Sequence, residues 1–399
     1  MNSKTFCVLP FMHLATNASG NYRVCCNSTP GKNQIVDSKG HSMNLAKHNI
    51  EDVWNSDTYT TIRKQLLNNE RPAMCQRCFS EEDAGVKSSR QSFNEGWYRE
   101  DVDLSVIQDK IDVRYIDLRL GNLCNLKCRM CNPYASSMWV KEWNEVVNTA
   151  ELVPNEKIDE SETKRLSKMD WFENPKVWEN IAKIADSIEE IYLTGGEPTL
   201  AIKQYDLFEY LHKHNLSKKI RLKYNTNLTN IPDTMLEHWK KFKTIKINAS
   251  IDAVGELDRY VRYPSAWHKI EENFQKLKQL DNVRLQIHST IQTYNLLALD
   301  KLYEWTDSIK FTDVYLNILN HPKCLNIKVL PNELKQEAIK RLQPFADRTK
   351  VKQMIDYMKS ENWYDSLWND FMDYTNTLDK SRNENILEVV PEFKEYWNV

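Results

Sequence analysis

The 399-residue sequence contains no apolar stretch close to the roughly 20 residues that a membrane-spanning helix requires. Its N-terminus, Met1-Asn2-Ser3-Lys4-Thr5-Phe6-Cys7, lacks the apolar core of a secretory signal. Neither charge is in excess: 54 Lys and Arg against 56 Asp and Glu leave a formal net charge of -2. That balance gives no electrostatic reason to expect a nucleic-acid or anionic-membrane partner. There is no internal repeat and no low-complexity segment. What is present is a globular composition, 41% hydrophobic and 28% charged, in a chain long enough for one large domain and a smaller module. A cytoplasmic, reducing location is the expectation, with no nucleic-acid and no membrane partner.

In that compartment the nine cysteines are poor candidates for disulfides. Cys7, Cys25, Cys26, Cys75 and Cys78 crowd into the first fifth of the chain, Cys124, Cys128 and Cys131 form a tight trio, and Cys324 stands apart. Clustered thiols in a reduced compartment point to metal.

The first 97 residues carry turn signals at Ser19-Gly20-Asn21 and Pro30-Gly31 and one helix, from about Asp57 to Asn68, with Ile62 and Leu66 on one face. The charged stretch Tyr98–Asp103 reads as a linker. From about Arg114, short β-branched and aromatic segments alternate with helix-length ones. The strand candidates are Tyr115–Leu120, Glu190–Leu193, Ile220–Tyr224, Thr244–Ala249, Val283–Ser289 and Asp313–Leu319. This order predicts an α/β fold with a parallel sheet and right-handed crossovers. Six units are too few for a closed eight-stranded barrel, so an open, partial (β/α)6 barrel is expected, with ligands at the C-terminal strand ends. The expected division is a Cys-rich module over 1–97, a linker over 98–113, the barrel over 114–330 and a helical extension over 331–399.

The first barrel strand runs into Gly121-Asn122-Leu123-Cys124-Asn125-Leu126-Lys127-Cys128-Arg129-Met130-Cys131. Gaps of three and two residues let three thiolates converge, and four-iron clusters normally take four. Three would leave one iron open to another ligand. A zinc knuckle, or a set of free buried thiols, is the plainer reading of the trio by itself. The C-x3-C-x2-C loop after a first strand, however, resembles the signature of the radical S-adenosylmethionine (SAM) superfamily. The resemblance implies a [4Fe-4S] cluster that reductively cleaves bound SAM to a 5′-deoxyadenosyl radical, which abstracts hydrogen from a substrate. It also implies that Met130 lies against the adenine, and that a reducing partner such as flavodoxin or ferredoxin supplies the electron.

Further motifs follow in the family's order over roughly residues 114 to 320. Thr194-Gly195-Gly196-Glu197-Pro198 resembles the Gly-Gly-Glu-Pro segment that binds the SAM amino group, Glu197 being a suitable acceptor for an ammonium. Asn225 and Asn227 after the third strand, and Ser250 and Asp252 after the fourth, resemble ribose-binding positions; as short polar runs they also read as helix caps. Arg262 is assigned by resemblance to the SAM carboxylate, which a guanidinium fork suits, with Arg259 the second choice.

In the N-terminal part, Cys7, Gly20 and Cys25 stand in a C-x12-G-x4-C pattern, followed by Cys75-x2-Cys78. Four thiolates would close the coordination of a cluster or of zinc. The spacing resembles the opening of SPASM and twitch extensions, in the shorter form with one auxiliary [4Fe-4S] cluster. Cys25 fits the pattern better than Cys26. The order departs from the family's, since such extensions usually follow the barrel. Cys324 and His288 read as an ordinary buried thiol and a satisfied strand residue.

The resemblance implies an oxidoreductase-type enzyme acting on a small polar molecule, an alcohol or sugar, with help from the auxiliary cluster. That choice rests on Cys7 standing too near the start for a leader-binding domain ahead of it. The alternatives are a maturase that modifies peptide or protein side chains, and a non-catalytic, zinc-stapled binding protein on the same scaffold.

Overall fold

A computed structural model describes residues 4–28, 34–98, 111–148 and 158–397. The turn expected at Pro30-Gly31 and most of the expected linker lie outside the described residues. The chain falls into two compact units: Met1–Leu123, Met169–Tyr224 and Asp233–Ile245 form the first, and Cys124–Lys168, Asn225–Pro232 and Lys246–Val399 the second.

The first unit contains β1 (His13–Thr16), β2 (Tyr22–Arg23), β3 (Tyr115–Leu120), β4 (Glu190–Gly195) and most of β5 (Arg221–Thr226), hydrogen-bonded in the order β2-β1-β3-β4-β5. β1 and β2 form an antiparallel hairpin. The β1–β3, β3–β4 and β4–β5 pairs are all parallel. The Cys-rich segment thus adds its own strands to the sheet, a pairing that its sequence did not announce. Alternation sets the two faces: Ile116, Leu118, Ile191, Leu193 and Leu222 are buried on one, while Tyr115, Asp117, Tyr192 and Lys223 occupy the other.

The longer helices of this unit are α1 (Asp57–Leu67), α2 (Gln76–Asp83), α3 (Ser89–Trp97), α4 (Pro175–Lys183), α5 (Gln204–Lys213) and α6 (Asp233–Trp239). Ser56 caps α1, accepting the Tyr59 N–H, and α1 buries Ile62 and Leu66 as the sequence predicts. Ser88 and Gln91 form a reciprocal capping box at the start of α3. Gly20 has φ +78°, and a Cβ there would come within 2.6 Å of the Trp171 ring, so the turn between β1 and β2 admits only glycine.

The second unit holds most of β6 (Thr244–Ser250), with β7 (Val283–Ile291) and β8 (Val314–Ile318), in the order β6-β7-β8. Its helices include α7 (Gly255–Val261), α8 (Trp267–Lys278), α9 (Leu299–Ser308), α10 (Asn332–Leu342), α11 (Val351–Ser360) and α12 (Tyr364–Arg382). All six barrel strands expected from the sequence are present, within a few residues of their expected ends. Their alternation with helices is that of a partial radical SAM barrel. Among the described residues no helix is long and apolar enough to cross a membrane.

Arg63 fixes the start of the chain onto α1. It is buried, its guanidinium lies 4.2 Å from the Trp54 ring centre, and it donates to the carbonyls of Pro10 (2.7 Å) and Trp54 (2.8 Å). Arg63→Met keeps the volume but strands both carbonyls. It is expected to lower stability by about 2–4 kcal/mol, read as an earlier denaturation midpoint by tryptophan fluorescence.

Candidate functional site

In the first unit, Cys7, Cys25, Cys75 and Cys78 line a single cavity, together with Val24, Arg90 and Phe93. Cys75 and Cys78 stand at the start of α2. Cys7 is held by α3: the Asn94 amide donates to Phe6 O (2.9 Å) and accepts the Val8 N–H (2.8 Å), gripping the backbone on both sides of the cysteine. Arg90 adds a donor to Phe6 O and is itself paired with Glu82 at 2.5 Å. Ser28 Oγ donates to Cys25 O (2.7 Å), and Asn27 hydrogen-bonds Ser89 of α3.

Burial pushes the Cys7 and Cys75 thiols up to about 12 and raises those of Cys25 and Cys78 as well. Such thiols ionise when a metal replaces the proton. The four thiols surround one space, and that number would close the coordination of a cluster or of a zinc ion. Cys26 faces elsewhere, its thiol hydrogen-bonded to the Asp117 carboxyl.

The second unit holds the trio on a clamped loop. Cys124 N–H donates to Ser137 Oγ (3.3 Å), Ser136 Oγ to Leu126 O (2.5 Å), and the Trp139 indole to Cys128 O (3.0 Å). Lys127 and Arg129 N–H groups donate to Tyr263 O (2.7 Å) and Val261 O (2.8 Å), tying the loop to the end of α7. Asn227 accepts from Thr229 and donates to Asn125 Oδ1 (3.0 Å), which braces the loop from another side. Met130 is half-buried.

Arg262 and Asp252 form a buried ion pair at 2.8 Å, and the second Asp252 oxygen accepts the Thr290 N–H (2.7 Å). Burial raises the Cys128 and Cys131 thiols to about 12, and the nearby Arg262 charge opposes that rise. Burial likewise lifts Asp258 to about 7, against the pull of Arg262. Asn225 accepts from the Asn248 amide (2.7 Å), and Ser250 ends β6. Arg259 is engaged by Glu256 (2.9 Å) and Glu384 (3.0 Å), leaving Arg262 as the arginine beside the cysteines.

The glycine motif belongs to the first unit, where β4 runs on through Thr194 and Gly195. A Cβ on Gly195 would fall within 2.7 Å of the Leu120 backbone, and one on Gly196 within 2.2 Å of Leu123 O. Two glycines let this turn lie directly on the residues preceding Cys124. The Glu197 N–H donates to Leu123 O (2.7 Å), and its buried carboxylate accepts from the Thr199 N–H (3.2 Å) and hydroxyl (2.8 Å).

The model of the radical SAM superfamily matches residues 118–301, and that of an iron–sulfur cluster-binding domain, SPASM, matches residues 7–79. No curated relative matches the chain. Among solved structures, anSMEcpe with bound AdoMet is 21% identical over 56% of this chain and 57% of its own, with a TM-score of 0.35. Streptococcus suis SuiB bound to S-adenosylmethionine is 16% identical over 56% of this chain and 43% of its own, with a TM-score of 0.32. The chain therefore spans less than two thirds of these structures. The two matches support a radical SAM domain joined to an auxiliary cluster module. The chain's cofactors are a [4Fe-4S] cluster with SAM and an auxiliary iron–sulfur cluster.

Sequence reasoning missed the residues that hold the trio. Arg129 is fully buried; its guanidinium lies 3.6 Å from the Tyr260 ring centre and pairs with Asp379 (2.5 Å) and Glu384 (2.9 Å). Tyr374 of α12 donates to Arg129 O (2.7 Å). Glu142 joins Lys127 (2.7 Å) to Arg382 (3.0 Å). The C-terminal helices thus grip the cysteine loop, across some 250 residues that no local pattern bridges. Cys324 is buried beside Tyr294 and Tyr374. His288 hydrogen-bonds Gln286 (2.7 Å) and stacks on Tyr315.

The two clamps are separable by mutation. Asp379→Ala is expected to reduce iron bound at the trio while the N-terminal site still loads, and Asn94→Ala to do the reverse. Electron paramagnetic resonance of the reduced protein, with and without SAM, distinguishes the two losses, because only the trio's signal responds to SAM.

Proposed function

We propose that this chain is an oxidoreductase-type radical SAM enzyme acting on a small polar molecule, such as an alcohol or sugar. The observation that carries the catalytic reading is the thiol count. Cys124, Cys128 and Cys131 share one clamped loop, and the remaining cysteine of the second unit, Cys324, is buried among tyrosines. Three thiolates serve a cluster that keeps one iron open to SAM. When bound, that cofactor pair supplies a reductive carbon–sulfur cleavage whose radical product takes a hydrogen atom from substrate.

In this reading Gly195, Gly196 and Glu197 receive the SAM amino group, and Arg262 its carboxylate. Asn225, Asn227, Ser250 and Asp252 stand toward the ribose, and Met130 toward the adenine. Asp252 sets the direction of the Arg262 fork, and Asn227 also holds the loop through Asn125. Cys7, Cys25, Cys75 and Cys78 would hold the auxiliary cluster, which would supply an electron acceptor. The domain division is a twitch-like module over 1–97, a barrel over 114–330 and a helical extension over 331–399 that steadies the cysteine loop. A flavodoxin or ferredoxin delivers the reducing electron.

The test is anaerobic reconstitution, reduction and addition of SAM, with 5′-deoxyadenosine measured by mass spectrometry. Wild type is expected to form it, and the variant carrying Cys124→Ala, Cys128→Ala and Cys131→Ala to form none. A fully loaded, reduced wild type that leaves SAM intact in the presence of candidate alcohols, sugars and peptides contradicts the reading.

A further inference from the structure

Two cations, Lys127 and Arg129, flank Cys128 in the chain, and each is met by carboxylates from outside the cysteine loop but within the second unit. Lys127 Nζ lies 2.7 Å from Glu142, and Arg129 Nη2 lies 2.5 Å from Asp379 and 2.9 Å from Glu384. The three carboxylate side chains are only 5%, 9% and 3% exposed, and that of Arg129 is wholly buried. Arg382 shares Glu142 at 3.0 Å, and Arg259 shares Glu384 at 3.0 Å. Asp379 also accepts the Tyr260 hydroxyl (2.7 Å) and the Ile386 N–H (2.7 Å).

Holding the loop does not by itself call for three buried carboxylates. Arg63 shows what holding takes: two carbonyl acceptors and, among the described residues, no carboxylate. Arg129 likewise reaches the Tyr260 carbonyl through Nε (3.0 Å), yet two carboxylates are set against it as well. Buried ion pairs return little net stability for the desolvation they cost. Asp379 moreover stands in the last turn of α12, where the helix dipole disfavours an anion. What the carboxylates do is cancel charge. Lys127 and Arg129 adjoin Cys128, with about 4 Å between neighbouring Cα atoms. In a buried setting, an uncancelled charge at that range acts strongly on whatever the thiolates hold. Reducing an iron–sulfur cluster adds negative charge, so nearby cations favour the reduced form and nearby anions oppose it.

We propose that Glu142, Asp379 and Glu384 set the reduction potential at the trio. By neutralising the cations on either side of Cys128, they keep the bound cluster strongly reducing. They are positioning residues: their part is to place counter-charge beside the loop, without contact with SAM or substrate. This assignment rests on the reading that the trio binds a [4Fe-4S] cluster, and it adds which residues govern the electron's driving force there.

The experiment is a redox titration of the reconstituted holoprotein, followed by electron paramagnetic resonance. The signal that responds to added SAM identifies the trio, and the auxiliary cluster serves as an internal reference. Glu142→Gln, Asp379→Asn and Glu384→Gln keep the side-chain shape and remove a negative charge. Each is expected to raise the ratio of reduced to oxidised trio cluster at a fixed potential by about tenfold, or about 59 mV for one electron. Lys127→Met and Arg129→Met remove a positive charge and are expected to lower that ratio by a similar factor. Asp83→Asn, which breaks an exposed ion pair with Arg71 in the first unit, should leave it unchanged. A purely structural role predicts no dependence on the sign of the charge removed. Shifts in one direction for both groups, no shift in any variant, or carboxylate variants that lose trio iron instead of shifting would overturn the assignment. The titration involves no turnover. A protein with the expected shifts that never cleaves SAM defeats only the catalytic reading, and one that cleaves SAM without these shifts defeats only this proposal.

Discussion

The parallel pairing of β1 with β3 is the constraint on which the first unit depends. It sets His13 against Tyr115 and Ala15 against Asp117, and so lays the N-terminal cysteine segment along the strand that leads into the trio. A slip of one residue would exchange the two faces of β1. His13 would lose Tyr115, and the hairpin carrying Cys25 and Cys26 would turn over. The register is held from behind by Tyr59, whose hydroxyl donates to His13 O (3.3 Å). With it in place, adjacent cysteines serve opposite sides: Cys25 faces the auxiliary cavity, and Cys26 faces Asp117.

Most of the clustered cysteines sit on irregular backbone, whose carbonyls need donors that no ladder provides. Buried arginines supply them repeatedly here. Arg63 serves Pro10 and Trp54, Arg90 serves Phe6, and Arg129 serves Tyr260. The planar, permanently charged guanidinium is suited to this because it satisfies several acceptors from one position. Losing such a residue strands the carbonyls it serves, and that penalty exceeds the net gain of the bonds themselves. What it provides is a fixed loop, ready for the cluster before iron arrives. Burial holds the empty thiols protonated, so metal capture and proton release are one event.

The parts legible in the sequence were those with local signatures. Six strands, the α1 helix, the trio and the C-x12-G-x4-C pattern all follow from spacing within a few tens of residues. Even Gly20 was singled out, although its reason, the Trp171 ring lying on its Cα, comes from residues 151 positions away. What escaped was long-range and polar. Nothing near Asp379 or Glu384 marks them as partners of Arg129, and the addition of β1 to the sheet depends on a four-residue strand of ordinary composition. Asp117 and Arg119 read locally as outward positions of a strand. Only the strand pairing shows that Asp117 stands level with Tyr192 and Lys223 across the sheet.

The most direct test of this arrangement is the iron content of Cys25→Ala and Cys26→Ala proteins after identical anaerobic reconstitution. With two four-iron clusters, wild type binds about eight irons per chain. Cys26→Ala is predicted to keep about eight, and Cys25→Ala to fall to about four by losing the auxiliary cluster alone. The opposite pattern, or zinc in place of iron at the N-terminal site, would contradict the account.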